Sequence, residues 1–223
     1  MNLLGSEILG KTLHLLSQSL LLPTISFLLI FIAYAVVELG SLFAEYAQRK
    51  KIPAESVAKF IQQLQSTSSP EELTAKSELS RNQKVLLKKI IDNNSLPPAS
   101  LQALARKLIE EEELKSARII EKTDLVARLG PALGLMGTLI PLGPGLAALS
   151  AGNIQGLAEA IIIAFDTTVV GLAAGGIAFL ISRVRKRWYE EHLSTLEAVA
   201  ESLLEVLISA KKKKTIVQLR ERR

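Results

Sequence analysis

Residues 129–182 read LGPALGLMGTLIPLGPGLAALSAGNIQGLAEAIIIAFDTTVVGLAAGGIAFLIS. Between Arg128 and Glu159 lie 30 residues without a formal charge, and Asp166 is the only charge between Glu159 and Arg183. A membrane-spanning helix needs about 20 apolar residues, so one span fits on each side of the SAGNIQG break. The quoted stretch therefore predicts two transmembrane helices joined by a short loop.

A third apolar stretch lies near the start of the chain, where no charged residue occurs between Lys11 and Glu38. It lacks the basic leader and the small-residue cleavage site of a signal peptide, which favours a retained span. The loop at 150–158 contains no Lys or Arg, whereas 15 of these residues lie within 45–128 and 11 follow residue 182. Because basic residues stay on the cytoplasmic side, this distribution predicts an N-terminus outside and a C-terminus inside.

We therefore expect an all-α integral membrane protein with three transmembrane helices, N-out and C-in, whose long helices extend into a cytoplasmic helical region. The net charge of +5 fits this topology better than a nucleic-acid surface, since the basic residues are interleaved with Glu and aromatics are scarce. The predicted segments are an N-terminal extracytoplasmic segment (1–19), transmembrane helix 1 (20–45), a cytoplasmic helical insert (46–124), transmembrane helix 2 (125–149), an extracytoplasmic loop (150–156), transmembrane helix 3 (157–182), a cytoplasmic amphipathic helix (183–210) and a disordered basic tail (211–223).

Breakers and caps divide the cytoplasmic insert into helices. Pro53 begins a helix that runs to about Gln65. Ser69, with Glu72 three residues later, has the capping-box pattern, which predicts a second helix that reaches about Asp92.

A longer helix follows the turn NNSLPP at 93–98. It starts near Ala99 and meets no breaker before Gly130, so we expect it to continue into the second span. The four glutamates at 110–113 suggest a cation site, but a helix spreads them around its circumference, which favours a solvated face. Beyond the third span, apolar residues three and four apart predict the amphipathic helix: Leu193, Leu196, Val199, Leu203, Val206 and Leu207.

Basic and aromatic residues follow the third span directly and predict an anchor at the membrane–water interface. This predicted membrane anchor consists of Arg183, Arg185, Lys186, Arg187 and Trp188. Glu38, near the cytoplasmic end of the first span, has Glu45 seven residues on. We expect the Glu38 carboxylate to extend towards the interface.

Small residues recur at intervals of four in both later spans. Gly130 and Gly134 have this spacing in the second span, and Gly171 and Gly175 have it in the third. Such spacing lets two helix backbones approach closely in lipid. These four glycines are therefore the predicted helix-packing residues.

Polar residues inside the spans suggest an ion pathway, and the candidates are Thr138, Glu159, Asp166, Thr167 and Thr168. Asp166 near the middle of a span costs roughly 3 kcal/mol on insertion scales, which makes it a functional candidate. Hydroxyls and a carboxylate along a water-lined path suit protons or partly dehydrated sodium ions. The alternative is that the threonine hydroxyls bond to their own helix and Asp166 is protonated or pairs with a neighbouring subunit.

The sequence offers little for catalysis. It has no cysteine, and His14 and His192 lie far apart without metal-ligand spacing. No phosphate loop or nucleophile–base set is present. We therefore expect no enzyme activity, no metal site and no cofactor other than the transported ion.

Three short motifs in the later spans are similar to those of the MotA/TolQ/ExbB proton-channel family. They are GLMGT (134–138), LAEA (157–160) and AFDTTVVGL (164–172). The resemblance covers about 125–207 by sequence and the whole chain by topology.

The resemblance implies a ring of copies, typically five, around a single-span ExbD/TolR/MotB-like partner that supplies an aspartate, in the cell inner (plasma) membrane. Protons or sodium ions passing through such a ring drive mechanical work, as in a stator. By the resemblance, Thr138 and Thr168 correspond to the pore-lining threonines. Asp166 is an acid that the family pattern does not require, and the family's glutamate lies about one turn closer to the threonine than Glu159 does.

A second hypothesis is a membrane scaffold whose cytoplasmic helices recruit soluble partners without conducting ions. In that case the polar residues of the spans serve assembly only.

Overall fold

The computed structural model describes residues 3–49, 53–66 and 69–221, which form helices joined by short turns and contain no strand. In chain order, the helices within these ranges are α1 (Leu3–Ser19), α2 (Leu21–Gln48), α3 (Ala54–Ser66), α4 (Pro70–Lys76), α5 (Arg81–Asp92), α6 (Pro98–Ser150) and α7 (Ile154–Glu221). The predicted all-α fold is confirmed.

Three helical stretches are long and apolar enough to cross a membrane, as the sequence predicts. They lie within Ile8–Ala47, Pro98–Ser150 and Ile154–Lys213. α6 begins directly after the predicted turn and stays unbroken through 53 residues, so the predicted continuation into the second span is confirmed.

α7 is also continuous, over 68 residues. The amphipathic helix expected at 183–210 is therefore a continuation of the third apolar stretch. The tail was predicted to be disordered, but it is helical as far as Glu221, because it contains neither Gly nor Pro and is rich in residues that favour helix. Residues 222 and 223 lie outside the described part of the chain.

The chain divides into two compact units. The first unit comprises Met1–Gln48 and Ile119–Arg185, and it contains the most apolar parts of α2, α6 and α7. The second unit comprises Arg49–Arg118 and Lys186–Arg223, and it contains α3, α4 and α5 with the remaining parts of the two long helices.

The second unit has a hydrophobic core in which α7 supplies the predicted apolar face. Leu196, Val199, Leu203 and Leu207 are buried, and Leu193 and Val206 pack against them. Their partners from the other helices include Leu64, Leu87, Ile90 and Leu101. The three- and four-residue spacing therefore identified a buried helix face correctly.

The helix predicted from Ser69 to Asp92 is instead two helices. Ser69 does precede α4, but its side chain makes no capping hydrogen bond, so the predicted capping box is wrong. A complete capping box lies at Ser80, whose Oγ accepts from the Gln83 amide at 3.3 Å while Gln83 Oε1 accepts from the Ser80 amide at 3.0 Å. The Gln83 side chain is only 1% exposed and also donates to the His192 carbonyl at 3.2 Å, so tertiary contacts fix where α5 begins.

We expect Ser80→Ala to destabilise the second unit by about 1 kcal/mol, because the substitution removes a satisfied N-cap. Hydrogen exchange of the first-turn amides of α5 in the detergent-solubilised protein would report the loss. Ser69→Ala is the matched control and should change little. Equal effects from both substitutions would show that the Ser80 cap contributes nothing of its own.

Candidate functional site

The glycines of α6 and α7 face each other at close range in the first unit. A Cβ placed on Gly171 would lie 2.6 Å from the Gly130 carbonyl oxygen and 2.8 Å from Gly134 Cα. One placed on Gly175 would lie 2.6 Å from Pro131 Cδ. Backbone touches backbone here, so only glycine fits without a shift. We call this contact, made by Gly130, Gly134, Gly171 and Gly175, the glycine seam.

Thr167, one of the predicted ion-pathway residues, lies in the same seam. Its side chain is 7% exposed, and a Cβ on Gly137 would lie 2.5 Å from Thr167 Cβ. The hydroxyl donates to the carbonyls of Ile163 and Ala164, at 2.9 and 3.0 Å. In one copy of the chain Thr167 is therefore a packing residue.

Thr138 and Thr168 flank the seam and are half-buried. Along the seam, residues with rising numbers on α6 meet residues with falling numbers on α7, so the two helices are antiparallel. At about 100° per residue, each threonine is rotated roughly 60–70° from the seam in the same sense along its own helix. Because the helices are antiparallel, these equal rotations put Thr138 and Thr168 on the same side of the seam.

The hydroxyls of Thr138 and Thr168 both bond to their own helix, which is the alternative that the sequence analysis gave beside a role in an ion pathway. Thr138 donates to the Leu135 carbonyl at 2.6 Å, and Thr168 donates to the Ala164 carbonyl at 3.1 Å. A hydroxyl that donates a hydrogen bond in this way still has a lone pair that can accept one. The pair therefore presents acceptor oxygens, which suit a cation.

Asp166 and Glu159 lie elsewhere on α7. Both side chains are exposed, and both are more than a quarter-turn around the helix from the seam and from Thr168. Glu159 accepts a hydrogen bond from Gln155 at 3.2 Å. The predicted pathway residues therefore separate into a threonine pair on one side and two acids on another, because neighbours in sequence are about 100° apart on a helix.

A side chain from α1 satisfies a carbonyl that a proline leaves free. Pro144 has no amide proton, so the Ile140 carbonyl one turn earlier has no partner within the helix. The Gln18 amide donates to this carbonyl at 3.3 Å. At Pro144, the carbonyl that the proline leaves unpaired is thus bonded from outside the helix, and α6 continues through this residue.

A buried cation, Arg185, lies between α7 and α2, at a position predicted to belong to the interfacial membrane anchor. Arg185 is 2% exposed, and its guanidinium bonds Glu38 at 2.5 Å and Glu45 at 3.1 Å. It also donates to the Ser41 hydroxyl at 3.0 Å. The Glu38 carboxylate, which we expected to extend towards the interface, is bonded by this guanidinium. We call Arg185, Glu38, Ser41 and Glu45 the arginine cluster.

Sequence signals for the arginine cluster were present. Arg185 extends the buried α7 face that Ala174, Ala178 and Ile181 form at spacings of three and four. Glu38 and Glu45, seven apart, share a face of α2. Two acids on one helix and a basic residue in register with a buried face favour an internal ion pair.

The other predicted anchor residues are not buried in this way. Arg183 is exposed and its guanidinium lies 5.5 Å from the Phe179 ring centroid. Lys186 is also exposed. The half-buried Trp188 ring has the Arg49 guanidinium 4.8 Å from its centroid.

Glu191, beyond the predicted span, forms ion pairs with two arginines. It accepts from Arg49 at 2.8 Å and from Arg187 at 3.3 Å. The Arg49 hydrogen bond is the main reason that the pKa of Glu191 lies below its usual value.

The acidic run at 110–113 is solvated for the most part, as expected. Lys107 pairs with Glu110 at 3.4 Å, and Lys115 pairs with Glu112 at 3.2 Å. Among the described residues no group of three or more His, Cys, Asp or Glu side chains is arranged to hold a metal ion.

We expect Gly171→Ala to destabilise the first unit by about 1–3 kcal/mol, because its Cβ would overlap backbone atoms of Gly130 and Gly134. Gly176→Ala is the matched control, since nothing lies within 4 Å of its added Cβ. It should be neutral or stabilising, because Ala favours helix over Gly. Thermal unfolding in detergent would compare them, and equal melting temperatures would contradict the close seam.

Arg185→Gln should destabilise the protein by about 3 kcal/mol, because it leaves two acids of a partly buried cluster without their cation. Arg183→Gln, at an exposed position two residues away, should have little effect. Adding Glu38→Gln and Glu45→Gln to the Arg185 variant should recover much of the melting temperature. No recovery would mean that Arg185 contributes through packing rather than charge.

A comparison with protein-family models identifies the family of this chain. The model described as the MotA/TolQ/ExbB proton channel family matches residues 66–198, more than half of the chain. No curated protein matches the chain. The matched range contains the glycine seam and both flanking threonines, on two of the three helices long enough to span a membrane. This chain is a membrane protein that belongs to the MotA/TolQ/ExbB proton channel family.

Proposed function

We propose that this protein is the ion-conducting subunit of a stator-type complex, which couples the flow of H⁺ or Na⁺ to mechanical work through a single-span partner protein. The observation that carries the proposal is the threonine pair. Thr138 and Thr168 lie on the same side of the glycine seam, each with a hydroxyl oxygen left as an acceptor. Family membership supplies the class of activity, a proton channel.

Several copies form a ring, with five as the number that the resemblance implies, and the side bearing Thr138 and Thr168 faces its centre. Acceptor oxygens replace part of the hydration shell of a cation there. An aspartate on the ExbD/TolR/MotB-like partner, inside the ring, takes up the ion and releases it.

In this proposal the N-terminus is extracytoplasmic and the second unit is cytoplasmic, in the inner (plasma) membrane. The distribution of Lys and Arg supports this orientation, since the loop at 150–158 has none. The work is then delivered across the cell envelope by the partner, and the helices of the second unit remain on the cytoplasmic side.

Asp166 and Glu159 have a different role in this proposal. Their exposed face points away from the threonine pair, so they do not line the same path within one copy. A carboxylate exposed at the middle of a span is costly in lipid. We therefore assign the Asp166 face to contact with a neighbouring copy or partner, where the acid finds a polar environment.

The double variant Thr138→Val with Thr168→Val should abolish ion flow, because valine keeps the shape and removes both acceptor oxygens. Flow of H⁺ and of Na⁺ would be measured in liposomes containing the complex with its partner. Thr167→Val is the matched control, since that hydroxyl lies in the seam, and it should retain flow. Undiminished flow in the double variant, with intact assembly, would remove the threonine pair from the mechanism.

A further inference from the structure

The second unit has a groove of about 640 Å³ between α6 and α7. Its floor is apolar and includes Ile109, Leu204 and Ile208. One wall carries Glu197, Glu201 and Glu205, four residues apart and therefore in one row along α7. The groove thus combines an apolar floor with a strongly acidic rim.

The acids of this row are not neutralised within the described part of the chain. None of Glu197, Glu201 and Glu205 forms a salt bridge there. Glu110 and Glu113 line the opposite wall, and Arg106 is the groove's one basic residue. An apolar surface with an unpaired acidic row along one wall favours a partner that carries the opposite charge.

α5 carries a surface of the complementary kind. Arg81, Val85 and Lys88 are exposed at spacings of four and three, so they form one face, with an apolar residue between two cations. Arg81 and Lys88 form no salt bridge among the described residues. They are seven residues apart, about 10 Å along the helix, and Glu197 and Glu205 are about 12 Å apart.

The two surfaces lie on different sides of α6. α5 is next to α6, where Arg81 and Val85 line an open cleft together with Leu108, Glu112 and Lys115 of α6. The groove uses Arg106, Ile109 and Glu113, which are rotated by more than a quarter-turn from the first set. One copy therefore cannot place its own α5 in its own groove, whereas a second copy can.

We propose that the groove between α6 and α7 receives the basic face of α5 from a second copy of this chain. The contact is heterologous, since the surface that accepts differs from the surface that is inserted. Repetition of a heterologous contact closes into a ring when the rotation allows it. This inference rests on the ring of copies in the proposed function. It assigns the contact that neighbouring copies make through the second unit.

Cysteine cross-linking of the full-length protein in membranes tests this interface, and the chain has no native cysteine to interfere. The variant with Glu201→Cys and Lys88→Cys should form disulfide-linked dimers, trimers and higher species under mild oxidation. Each single variant should stay monomeric on a denaturing gel, and a mixture of the two should stop at dimers. Glu201→Cys with Lys59→Cys, an exposed position on α3, is the control and should give no ladder.

Charge reversal gives a second readout with a different cysteine pair. With the cysteines moved to Glu205 and Arg81, Lys88→Glu or Glu201→Lys alone should greatly reduce the ladder, and the two reversals together should restore it. Failure of the combination to restore it would show that charge does not pair these surfaces.

The remaining outcomes also decide the question. A ladder from a single-cysteine variant would mean that like surfaces meet, which overturns the heterologous contact. A multimer of correct native mass without a ladder would overturn the proposal, since the copies would then meet through other surfaces. Since cross-linking requires no ion flow, an intact ladder in a non-conducting complex would count only against the proposed function.

Discussion

The close backbone contact along the glycine seam is the constraint on which the arrangement of the first unit depends. In lipid, helices gain little from burying apolar side chains against each other, and packing has to supply the attraction. Gly130, Gly134 and Gly171 bring two backbones within van der Waals contact, so any side chain at these positions pushes the helices apart. The short distance between the α6 and α7 backbones therefore depends on glycine having no side chain at these positions.

Because the glycines have to face each other, the seam also fixes the rotation of each helix about its own axis. The positions of the polar groups follow from that rotation. Thr167 fills the seam opposite Gly137, and the next residue, Thr168, is turned out of it towards the side on which Thr138 lies. The same rotation directs Asp166 away from the threonine pair. Further along α7, the buried face that starts in the seam ends at Arg185, whose ion pairs attach α7 to α2.

Much of this structure could be predicted from sequence, for identifiable reasons. The three apolar stretches follow from charge-free length, and the unbroken course of α6 as far as Gly130 follows from the absence of breakers. The amphipathic face of α7 follows from the spacing of its leucines. Each of these is a local or periodic property, so it needs no knowledge of what packs against the helix.

The features that sequence reasoning missed depend on tertiary partners. Ser80 with Gln83 has a capping-box spacing just as Ser69 with Glu72 has, and only the buried contact of Gln83 with the His192 carbonyl distinguishes them. In the sequence, Arg185 is one of several basic residues that follow the third span. Its contacts with Glu38 and Glu45 on α2 are what distinguish it from them. The separation of Asp166 from Thr168 was predictable in principle, since adjacent residues on a helix point in different directions.

The most direct test of the central claim is the native mass and composition of the complex, purified from its own membrane in mild detergent. If the protein is an ion-conducting ring subunit, several identical copies will be found with fewer copies of a single-span protein that carries an aspartate in its span. A monomer or a homo-oligomer accompanied only by soluble proteins would contradict the claim, and Thr138 and Thr168 would then be packing residues.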